Sequence, residues 1–354
     1  MDAGAVVAWP ERKNIDELSA LQHAYNLRIR DEAAFFSEYQ NEPIAIDLDE
    51  KDLPTPAFIS QKVNGYKRGE VPLDAEHLTA FIDVQQNLLY WVGVAWTPAF
   101  TGYVFDYGTY PEQTTRYFRL QQAKKTLPKT HPGHGLEGWL YKGLDMLTKR
   151  LAAKQFERDD GAQMKIGRVM IDANWGQSTE TVYSFIRQSK LGQLLLPSHG
   201  RGVVASSLPF SEYRKKKGDL VGYNWRIPAV SGKRLVRHVL YDTNYWKSFT
   251  FARLTTPPAD TGCLSLYEAP PAHHRLFGDQ LSAEYRVTTA GRGRAVDEWK
   301  HKPDHFDNHY LDCLVGCAVA ASIQGVTLGT VGEQQHQPAR KTRRQVKRER
   351  VKYL

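Results

Sequence analysis

Three aspartates stand where a folding chain has little use for them. Asp83 follows the apolar run Leu78-Thr79-Ala80-Phe81-Ile82, and Asp172 follows Val169-Met170-Ile171. Asp312 follows Leu311 in a segment with helical spacing, ahead of Val315, Ala318 and Val319. Aspartate is depleted from strands, and a buried carboxylate without a partner is costly. A lone Asp at a strand end is ordinarily a turn former or a helix cap. That reading stays open for Asp83, and for Asp172, which is followed by Asn174, Gly176 and Ser178. Taken together, the three suggest a shared hard divalent cation with oxygen ligands. Carboxylates around two Mg²⁺ or Mn²⁺ ions suit in-line displacement at a phosphodiester, one ion activating water and the other stabilising the leaving oxygen.

Two neighbours of Asp312 could join this chemistry. Asn308 and His309 precede it by four and three residues, so the three share a helix face. His309 could orient Asp312, ligate a cation or touch substrate; it could equally be a structural histidine. Asp106, Glu284 and Asp307 are weaker acidic candidates that read more readily as solvated or capping carboxylates. The ladder His305, His309, Cys313 and Cys317 imitates zinc ligands. At 1.5 Å rise per residue its ends lie roughly 18 Å apart, so one ion could take at most two of them. Cys313 and Cys317 are expected to be small packing residues.

The elements that must position these groups can be read in order. Strands are expected at Leu78–Val84, Leu88–Thr97 and Gly102–Tyr110, joined by tight connections and so antiparallel. A helix at Leu136–Phe156, a strand at Ile166–Ala173, a helix at Thr179–Gln188 and a strand at Gln193–Pro197 give a β-α-β order and parallel pairing. A helix near His274–Glu284, a hairpin carrying Gly291-Arg292-Gly293-Arg294 and a final helix over 306–324 follow. The expected fold is α/β: a mixed sheet, antiparallel meander first and parallel strands after, flanked by helices. Residues 1–50 read as a helical arm with a helix over Asn14–Tyr39, 51–77 as a linker, 78–325 as the core domain, and 326–354 as a disordered basic tail.

Composition narrows the partners. The chain has 354 residues, 41% hydrophobic and 24% charged, with net charge +8. Eight basic residues against Glu349 between Arg340 and Leu354 hold +7 of that charge. Such a tail suits a polyanion or simply keeps the protein soluble. The stretch 200–260 reads as an irregular basic and aromatic insertion. Lys215, Lys216, Lys217, Arg292, Arg294, Arg343, Arg344, Lys347 and Arg348 are the candidate DNA contacts. No P-loop or dinucleotide fingerprint occurs in the sequence, so NTP-driven work is expected of another chain. No run of 18 apolar residues and no secretory signal is present, and three cysteines make no disulfide framework. No membrane partner and a cytoplasmic setting are expected.

The ordered set of motifs resembles the nuclease half of the phage terminase large subunit, GpA type. The matching stretches are Phe81-Ile82-Asp83-Val84-Gln85, Met170-Ile171-Asp172-Ala173, Gln280-Leu281-Ser282-Ala283-Glu284 and Asn308-His309-Tyr310-Leu311-Asp312-Cys313, with Phe36–Pro43 like the segment that leaves the motor domain. The resemblance covers roughly residues 9–325. It implies an RNase H-like fold, a metal-binding triad of Asp83, Asp172 and Asp312, and endonucleolytic cutting of concatemeric viral DNA during packaging. It also implies a small terminase subunit, a procapsid portal and a separate ATPase motor as partners. A departure accompanies it, since the usual large subunit carries an N-terminal P-loop ATPase. Two other readings stay open: a catalytically inactive, DNA-binding or docking remnant of a prophage terminase, and an RNase H-like recombinase or transposase.

Overall fold

The computed structural model describes residues 7, 9–30, 35, 53–230, 236–291, 293–303 and 307–327. The first helix, α1 (Ala20–Arg30), starts later than the sequence rhythm suggests. The Gln22 amide donates to the Ser19 hydroxyl at 3.1 Å, a capping bond, while Glu17 draws the Asn14 amide into a turn at 2.7 Å. Beyond α1 the rest of the expected helix, Phe35 excepted, lies with Phe36–Pro43 outside the described residues.

The expected linker is corrected. From Leu53 onward the chain is part of the body. Thr55 caps α2 (Pro56–Gln61), with Pro56 at its first turn, and Ile59 is fully buried. Val63 then bridges to Leu266. Charged and proline-rich flanks hid a short helix that has only one strongly buried apolar side chain.

After β1 (Glu70–Val71) comes the meander: β2 (His77–Val84), β3 (Leu89–Trp96) and β4 (Gly102–Tyr110), paired antiparallel. Helices α3 (Leu127–Thr130) and α4 (Leu136–Ala153) follow, and β5 (Phe156–Arg158) and β6 (Gln163–Met164) join β1 in a small side sheet. Then β7 (Arg168–Asp172) pairs parallel with β2, and after α5 (Gly176–Gln188), β8 (Leu195–Arg201) pairs parallel with β7. Beyond these lie β9 (Leu220–Gly222), β10 (Trp225–Ile227), β11 (Val239–Asp242), α6 (Thr243–Thr255), β12 (Leu264–Leu266), α7 (Pro271–Leu281), the hairpin β13 (Glu284–Gly291) and β14 (Arg294–His301), and α8 (His309–Ile323). The large sheet has nine strands in the order β12-β4-β3-β2-β7-β8-β11-β10-β9. This is the RNase H-like arrangement, antiparallel on one side of β2 and parallel on the other.

The region 200–260 is not irregular throughout. It holds β11, a fourth parallel strand beside β8, and α6. Four residues, Val239-Leu240-Tyr241-Asp242, are too short a run to stand out among so many cations and rings, and their burial is decided by pairing with β8.

Apolar cores lie on both faces of the sheet. One joins Leu78, Ile82 and Ile171 to α4 and α5; the other joins Phe81, Met170, Leu196 and Tyr241 to α6, α7 and α8. Burial on both sides explains why β2 and β3 read as continuous apolar runs. Helix α8 is apolar all round and almost wholly buried. It lies close on β2 because of Gly316: a Cβ there would stand 1.8 Å from Phe81 Cδ2. The Thr79 hydroxyl donates to the Cys317 carbonyl at 3.1 Å and accepts from Trp96 Nε1 at 2.8 Å, pinning the helix to the strand. Cys313 and Cys317 are buried packing residues, as expected. His305 lies outside the described residues.

Candidate active site

The sheet brings two of the aspartates together by register. Ile82 stands opposite Ile171, so Asp83 and Asp172 leave neighbouring parallel strands at the same level, on strands about 4.8 Å apart. Each lies two residues beyond a side chain of the α6–α8 core, Phe81 or Met170, and therefore points to that face. Asp312 is in the first turn of α8, one turn before Gly316, whose close contact lowers that end of the helix toward β2. The site thus lies outside the carboxyl ends of parallel strands, the usual place for a site in an open α/β sheet.

Each aspartate has a different neighbour. Asp83 Oδ2 accepts from His309 Nδ1 at 2.7 Å and from Gln85 Nε2 at 2.9 Å. Asp172 Oδ1 accepts from the Asn174 amide at 3.2 Å, a local turn bond, and Asn174 Nδ2 reaches the Gly200 carbonyl at 2.9 Å. Asp312 lies 3.4 Å from Lys247 Nζ and keeps 35% of its side chain exposed. The shared helix face does not deliver the three groups to one point. His309 turns to Asp83, Asn308 donates to Glu284 at 2.6 Å, and Asp312 faces Lys247.

The charges are unevenly compensated. Burial, followed by the like charges of Asp83 and Asp312, pushes the Asp172 carboxyl well above its ordinary range. Burial also raises Asp312, with Asp83 and Glu284 adding to the shift and Lys247 opposing it. Burial alone would lower His309, but its bond to Asp83 and the charges of Asp83, Asp307 and Asp312 outweigh that and hold it above the usual histidine value. His309 is stacked on Tyr90 with ring centroids 4.3 Å apart, and its Nε2 has no hydrogen-bond partner among the described residues.

Several members of this neighbourhood escaped the sequence. Glu284, expected to be solvated or capping, is 2% exposed and bound by Lys247 at 2.6 and 2.7 Å. Burial opposes the Lys247 charge, yet Asp312 and Glu284 together keep its pKa above the ordinary lysine value. No sequence signal marks Lys247; α6 carries it, and α6 starts because Asp242 caps it by accepting from the Asn244 amide at 3.0 Å. Asp307 accepts from the Leu120 amide at 2.8 Å and stands 3.9 Å from His309 Nε2. Asp106, also expected to be solvated or capping, is buried on the other face between Arg68 at 2.6 Å and Lys154 at 2.8 Å.

A cation site can be tested against this donor set. All three aspartates offer hard oxygen, and Asp172 is a half-buried carboxylate pressed by two others, which fits a divalent cation. Among the described residues, no group of three or more His, Cys, Asp or Glu side chains forms a metal-holding set. The fit is therefore one of donor chemistry, without a closed cage.

The expected DNA contacts divide. Lys215, Lys216 and Lys217 are exposed before β9. Arg294 is engaged by the carbonyls of Val204, Ala205 and Ser207, so its guanidinium anchors the loop after β8. Arg292, Arg343, Arg344, Lys347 and Arg348 lie outside the described residues. Among those residues no helix is long and apolar enough to cross a membrane.

The family model of the terminase large subunit gpA, endonuclease domain, matches residues 47–335 of the 354. The chain belongs to this family. Membership supports a nuclease role in phage DNA packaging. No significant match to a curated protein or to a solved structure was found.

Proposed function

We propose that this gpA endonuclease domain hydrolyses phosphodiester bonds of double-stranded viral DNA concatemers, with Asp83, Asp172 and Asp312 as the acid set. The observation that carries this reading is the half-buried Asp172, with no cation paired to it among the described residues, beside Asp83 at the ends of paired parallel strands. These three residues would hold Mg²⁺ or Mn²⁺, expected as a pair. When bound, the ions would supply an activated water and neutralise charge developing on the leaving oxygen.

The chain's own residues prepare that chemistry. His309 orients the Asp83 carboxylate through Nδ1 and, stacked on Tyr90, cannot turn away freely. Lys247, tied to Glu284, sets the position of Asp312. Asn174 and Gln85 hold the backbone and carboxylate geometry at the two strand ends. Lys215, Lys216 and Lys217 would contact phosphates away from the reacting centre, fixing register without reading sequence, and the basic tail would add to this. The DNA substrate, a small terminase subunit, a portal and an ATPase motor outside these 354 residues are the partners this role requires.

The test is plasmid cleavage by the purified chain with Mn²⁺, Mg²⁺ or EDTA, beside Asp83→Asn. Metal-dependent nicking lost in the variant is the expected result. The open arrangement of the acids favours one competing reading, a remnant that binds DNA without cutting it. A folded wild-type chain that binds DNA but does not cut, even with its motor added, would establish that reading instead.

A further inference from the structure

The acid-bearing face has a fourth strand whose contribution neither the motifs nor the family match assigns. Tyr241, on β11, stands opposite Gly200 on β8, and Ser198, two residues earlier on β8, stands opposite Asp172 on β7. By strand alternation, Gly200 and Ser198 share a face, and Tyr241 belongs to the same core as Phe81 and Met170. Asp83, Asp172, Gly200 and Tyr241 therefore occupy one face, at the carboxyl ends of four adjacent parallel strands.

Gly200 decides where the phenol goes. A Cβ at this position would lie 3.1 Å from Tyr241 Oη and 3.2 Å from its Cζ, and 2.5 Å from Thr243 Cγ2. The bare backbone lets the ring lean from β11 across β8, toward the strand that carries Asp172. Tyr241 is only 4% exposed. Its hydroxyl bonds to no described residue and is not among the fully sealed polar atoms. Burial, and after it the charges of Asp172, Asp312 and Asp83, hold the phenol far above its ordinary pKa. It is thus an O–H donor on the face that carries the acids.

We infer that Tyr241 is a catalytic residue that donates a hydrogen bond from Oη to a non-bridging oxygen of the scissile phosphate. The inference rests on the nuclease reading above. A phosphate entering this site meets carboxylates that repel it; a neutral donor fixed among them can accept its approach. The donation is strengthened as negative charge builds on the phosphoryl oxygens, which places its effect in the rate of the chemical step. No bond is made or broken at Tyr241, and the proton stays on Oη.

Tyr241→Phe removes the hydroxyl and keeps the ring. Steady-state cleavage of a duplex substrate is compared for wild type, Tyr241→Phe and Asp83→Asn, with DNA affinity measured by fluorescence anisotropy in Ca²⁺ and folding followed by thermal melting. The expected result is a fall in kcat of about a hundredfold in Tyr241→Phe, the scale of a lost oxyanion donor. Its DNA Kd should stay within about twofold and its melting temperature unchanged. Gly200→Ala, which displaces the phenol without removing it, should lower kcat in the same direction. Wild-type kcat in Tyr241→Phe overturns the inference while leaving the nuclease reading intact. A joint loss of kcat, affinity and melting temperature also overturns it, by showing a packing role. Wild type that, even with its motor added, cuts no better than Asp83→Asn removes the nuclease reading, and this inference with it.

Discussion

Asp106 and Asp172 are carboxylates on opposite faces of one sheet, and their surroundings differ in kind. Asp106 is gripped by Arg68 and Lys154 across the side packed by α4. Among the described residues Asp172 receives only backbone hydrogen bonds, from Asn174 and Ala173, and is pressed by Asp83 and Asp312. The first is a neutralised ion cluster, which a fold can use as a fastening. The second is like charge collected at a strand end, which costs stability and makes sense where a cation and a phosphate are to be received. Glu284 is a hybrid, neutralised by Lys247, which in turn reaches Asp312. Burial alone does not separate a structural carboxylate from a working one; the sign of its neighbours does.

Four experiments can break or sharpen this contrast. The largest effect is expected on cutting. Asp83→Asn and Asp312→Asn should each lower cleavage on the order of 10³-fold or more, as when one member of a catalytic unit is removed, whereas Asp106→Asn should leave kcat within a few-fold. Comparable cleavage losses from Asp106→Asn in a folded protein would erase the distinction.

The next effect is on stability. Lys247→Met leaves the buried Glu284 with the Asn308 amide but without its lysine counter-charge and should cost about 3–5 kcal/mol in denaturant unfolding. If unfolding shifts by less than about 1 kcal/mol, the bridge is not holding this end of the fold.

A smaller effect has opposite signs at the two aspartates. The native Asp172 pKa lies above the unfolded value, so the native state binds its proton more tightly. Stability is then lost as pH rises from the unfolded carboxylate pKa, about 3.9, toward the native one. Asp172→Asn should therefore raise the melting temperature at pH 7 without divalent cations, by roughly 2–4 °C per kcal/mol relieved. Asp106→Asn should lower it. His309 runs the other way in pH: its native pKa is raised, so the stability of its bond with Asp83 is fully present below about pH 6.5 and fades as pH rises through the native value. In His309→Gln that slope should vanish from melting curves taken between pH 6 and 8.

The smallest change concerns the tail. Deleting Arg340–Leu354 should flatten the slope of log affinity against log salt by about 0.9 for each phosphate that the tail neutralises. An unchanged slope would assign the tail to solubility.

The sequence by itself determined the strand and helix types around β2, β7 and α8, because buried parallel strands and an all-round apolar helix have unmistakable patterns. It also marked Asp83, Asp172 and Asp312, since a charge closing an apolar run breaks that pattern visibly. It did not reveal that the charged stretch after Leu53 joins the body, nor that 200–260 hides β11 and α6. Those segments are short, and their burial comes from partners distant in the chain. The identities of Lys247 and Tyr241 as neighbours of the acids, and the pairing of Glu284 with Lys247, were likewise decided by tertiary structure alone. Lys247 meets Glu284 only because α6 packs against α8 and β14. Tyr241 reaches inward only because the residue opposite it on β8 is a glycine. A local pattern can announce a residue that breaks it; it carries no record of which distant side chain will supply the balancing charge, or leave the space, that makes the residue useful.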